Sequence, residues 1–184
     1  FGRSDSSTCA NLEEWIKLEI KGIARKYDVE IQGSSPAILF GELIKALYNK
    51  YEVGVVILVD EYDRPITNNL EDGKGVKQIS RTMEAFYQMI KGYESMERFV
   101  FITGITRLSQ VSIFSKLNNL IDISRSDRFS ATVGYTKKEL LDNFEEHIYR
   151  ASEKNACTKD EMIDKLAIWY DGFKFSVNGE NVYN

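Results

Sequence analysis

Val53-Gly54-Val55-Val56-Ile57-Leu58-Val59-Asp60 is an almost unbroken apolar run, rich in β-branched residues and without polar alternation. A strand buried on both faces reads this way, as in a parallel sheet with helices above and below it. Downstream, Val76, Ile79, Met83, Phe86 and Ile90 recur at helical spacing, which predicts a helix over 76–93. A second apolar run, Phe99 to Thr103, follows. Strand, helix, strand across about fifty residues is a βαβ crossover, nearly always right-handed. The alternation argues an α/β fold.

Working outward, Asn11 with Glu14 three residues on is a helix-start signal. Leu12, Trp15, Ile16, Ile20, Ile23 and Tyr27 then recur on one face. Ser35-Pro36 opens a second helix, with Ser as cap and Pro at the first position, and Phe40, Leu43, Ile44, Leu47 and Tyr51 form its stripe. Beyond Gly104 the pattern loosens to a short helix and loops over 105–126, with a third strand expected at Phe129 to Val133. Thr136-Lys137-Lys138-Glu139 and Thr158-Lys159-Asp160-Glu161 are capping boxes, opening helices to about Arg150 and Tyr170. Asn178-Gly179, flanked by Phe173 to Val177 and Asn181 to Tyr183, suggests a hairpin. The expected organisation is a sheet-containing part over 1–135 and a helical subdomain over 136–184.

The chemistry sits at the end of the first strand. Val55 to Val59 followed by Asp60-Glu61 is the Walker B pattern. A buried strand fixes the backbone, and its carboxyl end is where α/β sheets bind ligands. Asp60 is therefore the candidate magnesium residue, acting through water because magnesium keeps much of its hydration shell. Glu61 is the candidate catalytic acid that polarises an attacking water. Thr103, Thr106 and Arg107, at and beyond the end of the second strand, are candidate nucleotide-binding residues. A hydroxyl there can sense a γ-phosphate, and a planar guanidinium suits phosphate oxygens. The bland reading is an acid-capped strand end, a strand-end turn and a surface arginine.

Bulk properties narrow the setting. A net charge of −4 argues against a broad nucleic-acid surface, which needs a basic excess. Cys9 and Cys157 are too few for a disulfide framework and lack metal spacing. A reduced, cytoplasmic setting follows. No apolar run reaches the length of a membrane span, so no membrane partner is expected.

LVDEYDRPI (Leu58 to Ile66), FITGITRLS (Phe101 to Ser109), SIFSKLNNLIDIS (Ser112 to Ser124) and WYDGFKFS (Trp169 to Ser176) occur in order. Together they resemble the AAA-ATPase-like family, bacterial proteins that commonly carry a C-terminal nuclease-like domain of the PD-(D/E)XK type. The resemblance implies a P-loop NTPase-like parallel sheet flanked by helices, with a helical C-terminal part. It makes Asp60 the magnesium residue, Glu61 the catalytic acid and Thr103 the sensor. It also implies ATP and Mg²⁺ as the parent protein's ligands. Any nucleic-acid partner would come through the nuclease-like domain.

The phosphate-binding loop itself, G-x-x-x-x-G-K-[ST], has no match. Phe1-Gly2-Arg3-Ser4 shares only the last residues of such a loop, and the Asp5-Ser6-Ser7-Thr8 that follows is turn chemistry. Asp72-Gly73-Lys74-Gly75 lacks a preceding strand and a following hydroxyl. The sheet is thus expected to be incomplete at the N-terminus, and both ends read as cut from a longer protein. Alone, the chain should bind ATP poorly and hold no cofactor. Two other catalytic readings compete: a helicase, from Asp60-Glu61-Tyr62-Asp63 and Ser130-Ala131-Thr132, and a metal nuclease using Asp60, Glu61 and Asp63. The first fails on the separation of its motifs, the second on a missing acid and lysine. A non-catalytic binding module on a degenerate NTPase fold is the remaining alternative. His147, beside an apolar helix stripe, reads as a packed histidine.

Overall fold

The computed structural model describes residues 1–70, 73–105 and 117–183. The chain divides into two compact units, Phe1–Leu120 and Ile121–Asn184.

In the first unit, α1 (Cys9–Lys26) is capped by Thr8, whose hydroxyl accepts the Asn11 amide at 3.1 Å. Asn11, the expected cap, instead lies inside the helix and donates its side-chain amide to Asp5 and Ser7. Leu12, Ile16, Ile20 and Ala24 are the buried stripe of α1. Ser35 and Pro36 open α2 (Pro36–Tyr51) as expected, and Leu39, Phe40, Leu43 and Ile44 are buried. The helix ends at Glu52, in the left-handed conformation that terminates many helices. After β1 (Val55–Val59) and the single turn α3 (Arg64–Thr67) comes α4 (Gly73–Gly92). Its Ile79, Met83, Phe86, Tyr87 and Ile90 are buried against α1 and α2. Each such side chain contributes about 1.5–3 kcal/mol by leaving water. These helical stripes, more than the sheet, make the core.

β2 (Glu97–Ile102) pairs with β1 in parallel, in register from Val56↔Phe99 to Val59↔Ile102. The crossover through α4 therefore exists, and the class is mixed α/β. Burial on both faces is not observed. Ile57 is 6% exposed and lies on the helices, whereas Leu58 is 71% exposed. Val56 and Phe99 are exposed too. Only one face of this two-stranded sheet is covered by described residues, so an alternation appears in burial that is absent from the sequence.

In the second unit both expected capping boxes form. Thr136 and Glu139 exchange bonds at the start of α5 (Lys137–Lys154), and Thr158 and Glu161 do so before α6 (Lys159–Tyr170). Ile148, Met162 and Ile163 form a small core between them. The strand expected at 129–133 is absent. A 3₁₀ turn over 127–129 and further turns take its place, held by the Asp127 carbonyl accepting the Ser130 hydroxyl at 2.9 Å. The hairpin is real but wider than a two-residue turn: β3 (Asp171–Phe173) pairs antiparallel with β4 (Val182–Tyr183). Tyr135 bridges Tyr183 through two 2.8 Å backbone bonds, and Asn178 donates to the Asp127 carboxylate. Those ties place residues 121–135 with the second unit, ahead of the expected boundary at 136. His147 is exposed, its ring edge-on to Phe144 with 6.2 Å between centroids. Among the described residues no helix is long and apolar enough to cross a membrane.

Candidate functional site

β1 ends at Val59, whose carbonyl accepts the Thr103 amide at 2.8 Å. Tyr62 N–H then donates to the Thr103 carbonyl at 3.0 Å, stitching the two strand ends together past their last ladder pair. Between those bonds lie Asp60 and Glu61. Asp60 is exposed and Glu61 half-buried, while Tyr62 and Asp63 are both 2% exposed. The chain thus turns inward immediately after the acid pair. Glu61 has φ +53°, a left-handed conformation that is costly for a residue with a side chain. Arg64 N–H donates to the Glu61 carbonyl, and Arg64 and Pro65 open α3 directly behind.

Gly104 makes this close approach possible. A Cβ there would lie 2.5 Å from the Tyr62 ring and 2.6 Å from an Asp63 carboxylate oxygen. Tyr87 from α4, fully buried, donates its hydroxyl to the Tyr62 carbonyl at 3.3 Å. Burial, then the neighbouring Asp63 charge, pushes the Tyr87 phenol well above its ordinary range, so it stays a donor.

The first carboxylate is held by the second strand. Thr103 Oγ1 donates to Asp60 Oδ1 at 2.5 Å, and the Glu61 amide donates to the same oxygen at 2.9 Å. The Thr103 bond, and secondarily the Glu61 amide, hold the Asp60 carboxyl below its usual range by favouring the anion. The second carboxylate is held by its own turn: Arg64 Nη1 reaches Glu61 Oε2 at 2.8 Å and Oε1 at 3.0 Å. Asp60, Glu61 and Thr103 are therefore brought together. Thr106 and Arg107 lie outside the described residues.

Sequence reasoning missed two contributors. Arg64 is the ion partner of Glu61. The Phe1–Ser4 segment, set aside as a phosphate loop, lies against the carboxylates. The Phe1 nitrogen donates to the Asp60 carbonyl at 2.8 Å, and a Cβ on Gly2 would fall 2.2 Å from Glu61 Oε2. No helix follows Ser4 directly, since α1 starts at Cys9. No local pattern announces contacts across some sixty residues of sequence.

Metal fit can be judged from the donors. Among the described residues no three His, Cys, Asp or Glu side chains converge on a metal-sized site. Asp60, Glu61 and Asp63 form no such group, because Asp63 is buried beneath the turn. One exposed carboxylate does fit magnesium that arrives on a phosphate, because such ions take one or two protein carboxylates and keep several waters.

Residues 1–114 match the family profile described as AAA-ATPase_like, Predicted AAA-ATPase. The chain belongs to the AAA-ATPase-like family. A relative from Azotobacter chroococcum mcd 1, described as "Uncharacterized protein in vnfD 5'region", is 38% identical over 145 residues. That match covers 79% of this chain and 26% of the relative, so the chain spans about a quarter of the relative's length. No solved structure matches. In this AAA-ATPase-like chain the family match takes in both β1 and β2, and hence Asp60, Glu61 and Thr103.

Proposed function

We propose that this chain carries the hydrolytic half of a nucleoside-triphosphate site on a P-loop NTPase-like sheet. Asp60 holds hydrated magnesium, Glu61 orients and deprotonates water, and Thr103 couples the two strand ends. The observation that carries the reading is the 2.5 Å bond from Thr103 to Asp60 at the carboxyl ends of adjacent parallel strands. That is where open α/β sheets hold their ligands. When bound, magnesium neutralises phosphate charge, and the Asp60 carboxylate, already favoured as the anion, suits a metal-bound water. No Gly-rich Lys-Ser loop occurs in these residues, so on this reading they supply the acids of the site and not its phosphate cradle.

A second reading, a non-catalytic binding module, is favoured by one feature: both Glu61 oxygens face Arg64, and a base engaged this way must first be released. Nucleotide binding and hydrolysis by the full-length protein decide between them. Under the enzymatic reading Glu61→Gln retains nucleotide and loses turnover by roughly 10²–10⁴-fold, the usual worth of a general base. Unchanged turnover would remove Glu61 from the chemistry. Absence of nucleotide binding in the unaltered full-length protein would leave the binding-module reading standing.

A further inference from the structure

Arg64 meets Glu61 with only part of its guanidinium. Nη1 makes both contacts, at 2.8 Å to Oε2 and 3.0 Å to Oε1. Among the described residues the side chain has no other hydrogen bond or ion pair, so Nε and Nη2 are unused. Those two nitrogens form a planar, two-pronged donor, the shape that takes two phosphate oxygens at once. The Arg64 side chain is 42% exposed, so an anion can reach it. It stands just beyond the carboxyl end of β1, three residues after Glu61, on the side of the sheet where α/β folds hold ligands.

The backbone beneath this side chain is fixed. Pro65, next in the chain, is buried. Asn69 donates its side-chain amide to the Pro65 carbonyl at 2.9 Å and to the Ser6 carbonyl at 2.7 Å. Any shift of the guanidinium is therefore a rotamer change of a long side chain, not a movement of α3. The Glu61 carboxylate lies against bare backbone on its other side. A Cβ on Gly2 would fall 2.2 Å from Glu61 Oε2 and 3.7 Å from Arg64 Nη1. The carboxylate is thus parked between Arg64 and Gly2, and a water must share its oxygens with the guanidinium.

We propose that Arg64 recognises the terminal phosphate of a nucleoside triphosphate and exchanges Glu61 for it, which rests on the nucleotide reading above and adds its specificity. A terminal phosphate carries more charge than a carboxylate and offers three acceptor oxygens. It docks first on the unused Nε and Nη2 edge and then draws the whole guanidinium across. The half-exposed pair with Glu61 is weak and yields. A diphosphate held in the same place ends one group short and leaves Arg64 on Glu61. Selection of the triphosphate and release of the Glu61 carboxylate are then one event.

Equilibrium binding of ADP and of the non-hydrolysable β,γ-imido analogue of ATP to the full-length protein tests this without reference to turnover. Arg64→Gln should weaken the analogue by about tenfold or more, through loss of a charge-assisted contact, and leave ADP unchanged. The unchanged ADP affinity also reports that the variant is folded. Glu61→Gln removes the competitor for Arg64 and should tighten the analogue by about two- to fivefold. That gain should vanish when Arg64→Gln is added, because the two residues act as one unit. Gly2→Ala pushes the carboxylate off Arg64 without altering either charge, and should reproduce the gain. A gain from Glu61→Gln that persists in the double variant overturns the proposal, since plain repulsion between carboxylate and phosphate would then explain it. Equal weakening of ADP and the analogue by Arg64→Gln overturns it too, and leaves the nucleotide reading intact. Failure of the unaltered protein to bind either nucleotide overturns both.

Discussion

Thr103 and Asp60 lie 43 residues apart in sequence, yet a single 2.5 Å hydrogen bond joins their side chains at the ends of neighbouring strands. It favours the Asp60 anion, so its loss has a pH signature. A lowered native pKa contributes stability that is present above the unfolded-state value and lost as pH falls through the native one. Thr103→Val should raise the Asp60 pKa towards the ordinary carboxylate range, read by carboxyl NMR titration. Asp60 is exposed, so the stability cost near neutral pH is small, under about 1 kcal/mol. That cost should vanish in acid. An Asp60 titration unchanged in the valine variant would contradict the bond.

Gly104 tests the packing beneath the site. Its α-carbon sits where any side chain would meet the Tyr62 ring and the Asp63 carboxylate within 2.6 Å. Both of those residues are buried. Gly104→Ala should cost about 1–3 kcal/mol, the usual penalty of overpacking. The chemical denaturation midpoint should fall at constant slope. A silent substitution would mean that the Tyr62–Asp63 turn moves freely against the second strand.

What could be read in advance was what local chemistry dictates. Apolar spacing and caps placed α2, α5 and α6 within a few residues, because Ser35-Pro36, Thr136–Glu139 and Thr158–Glu161 are self-contained signals. The parallel pairing of Val55–Val59 with Glu97–Ile102 followed from two apolar runs joined by a helix. What escaped prediction depends on distant partners. The open face at Val56 and Leu58 reflects which elements cover the sheet, and composition cannot report that. Likewise Phe129–Val133 has strand-like residues, but turn bonds around Asp127 and Ser130 compete successfully for its backbone. The Arg64–Glu61 pair arises only once Glu61 adopts its left-handed turn.

Glu97, the first residue of β2, predicts a pH dependence of opposite sign. One of its carboxylate oxygens is buried without a hydrogen-bond partner among the described residues. Burial, reinforced by the Glu94 charge, raises its pKa to about 7 from an ordinary value of 4.5. A raised native pKa gives stability that is fully present below the unfolded value and lost as pH climbs through the native one. The protein should therefore lose stability between about pH 4.5 and 7 through this residue. Glu97→Gln should flatten that slope and stabilise the protein at pH 8 by about 1 kcal/mol once solvent screening is allowed for. Parallel melting curves of the two proteins from pH 5 to 8 make the comparison. Identical slopes would show that Glu97 is as well solvated when folded as when unfolded.

Glu61 sets stability against function in one residue. Its φ of +53° strains any L-residue by about 1–2 kcal/mol, and glycine escapes that strain. The carboxylate regains little of this through Arg64, because the two side chains are 40% and 42% exposed and such pairs are worth about 0–1 kcal/mol. Glu61→Ala keeps the strain and loses the pair, whereas Glu61→Gly loses both. The glycine variant should therefore be more stable than the alanine variant by about 1 kcal/mol, and no less stable than the unaltered protein. Under the proposed mechanism neither hydrolyses nucleotide in the full-length protein. Denaturant midpoints for the three proteins give the ordering directly. An alanine variant equal to the glycine variant would show that the turn relaxes, and that the carboxylate is not held in place by its backbone.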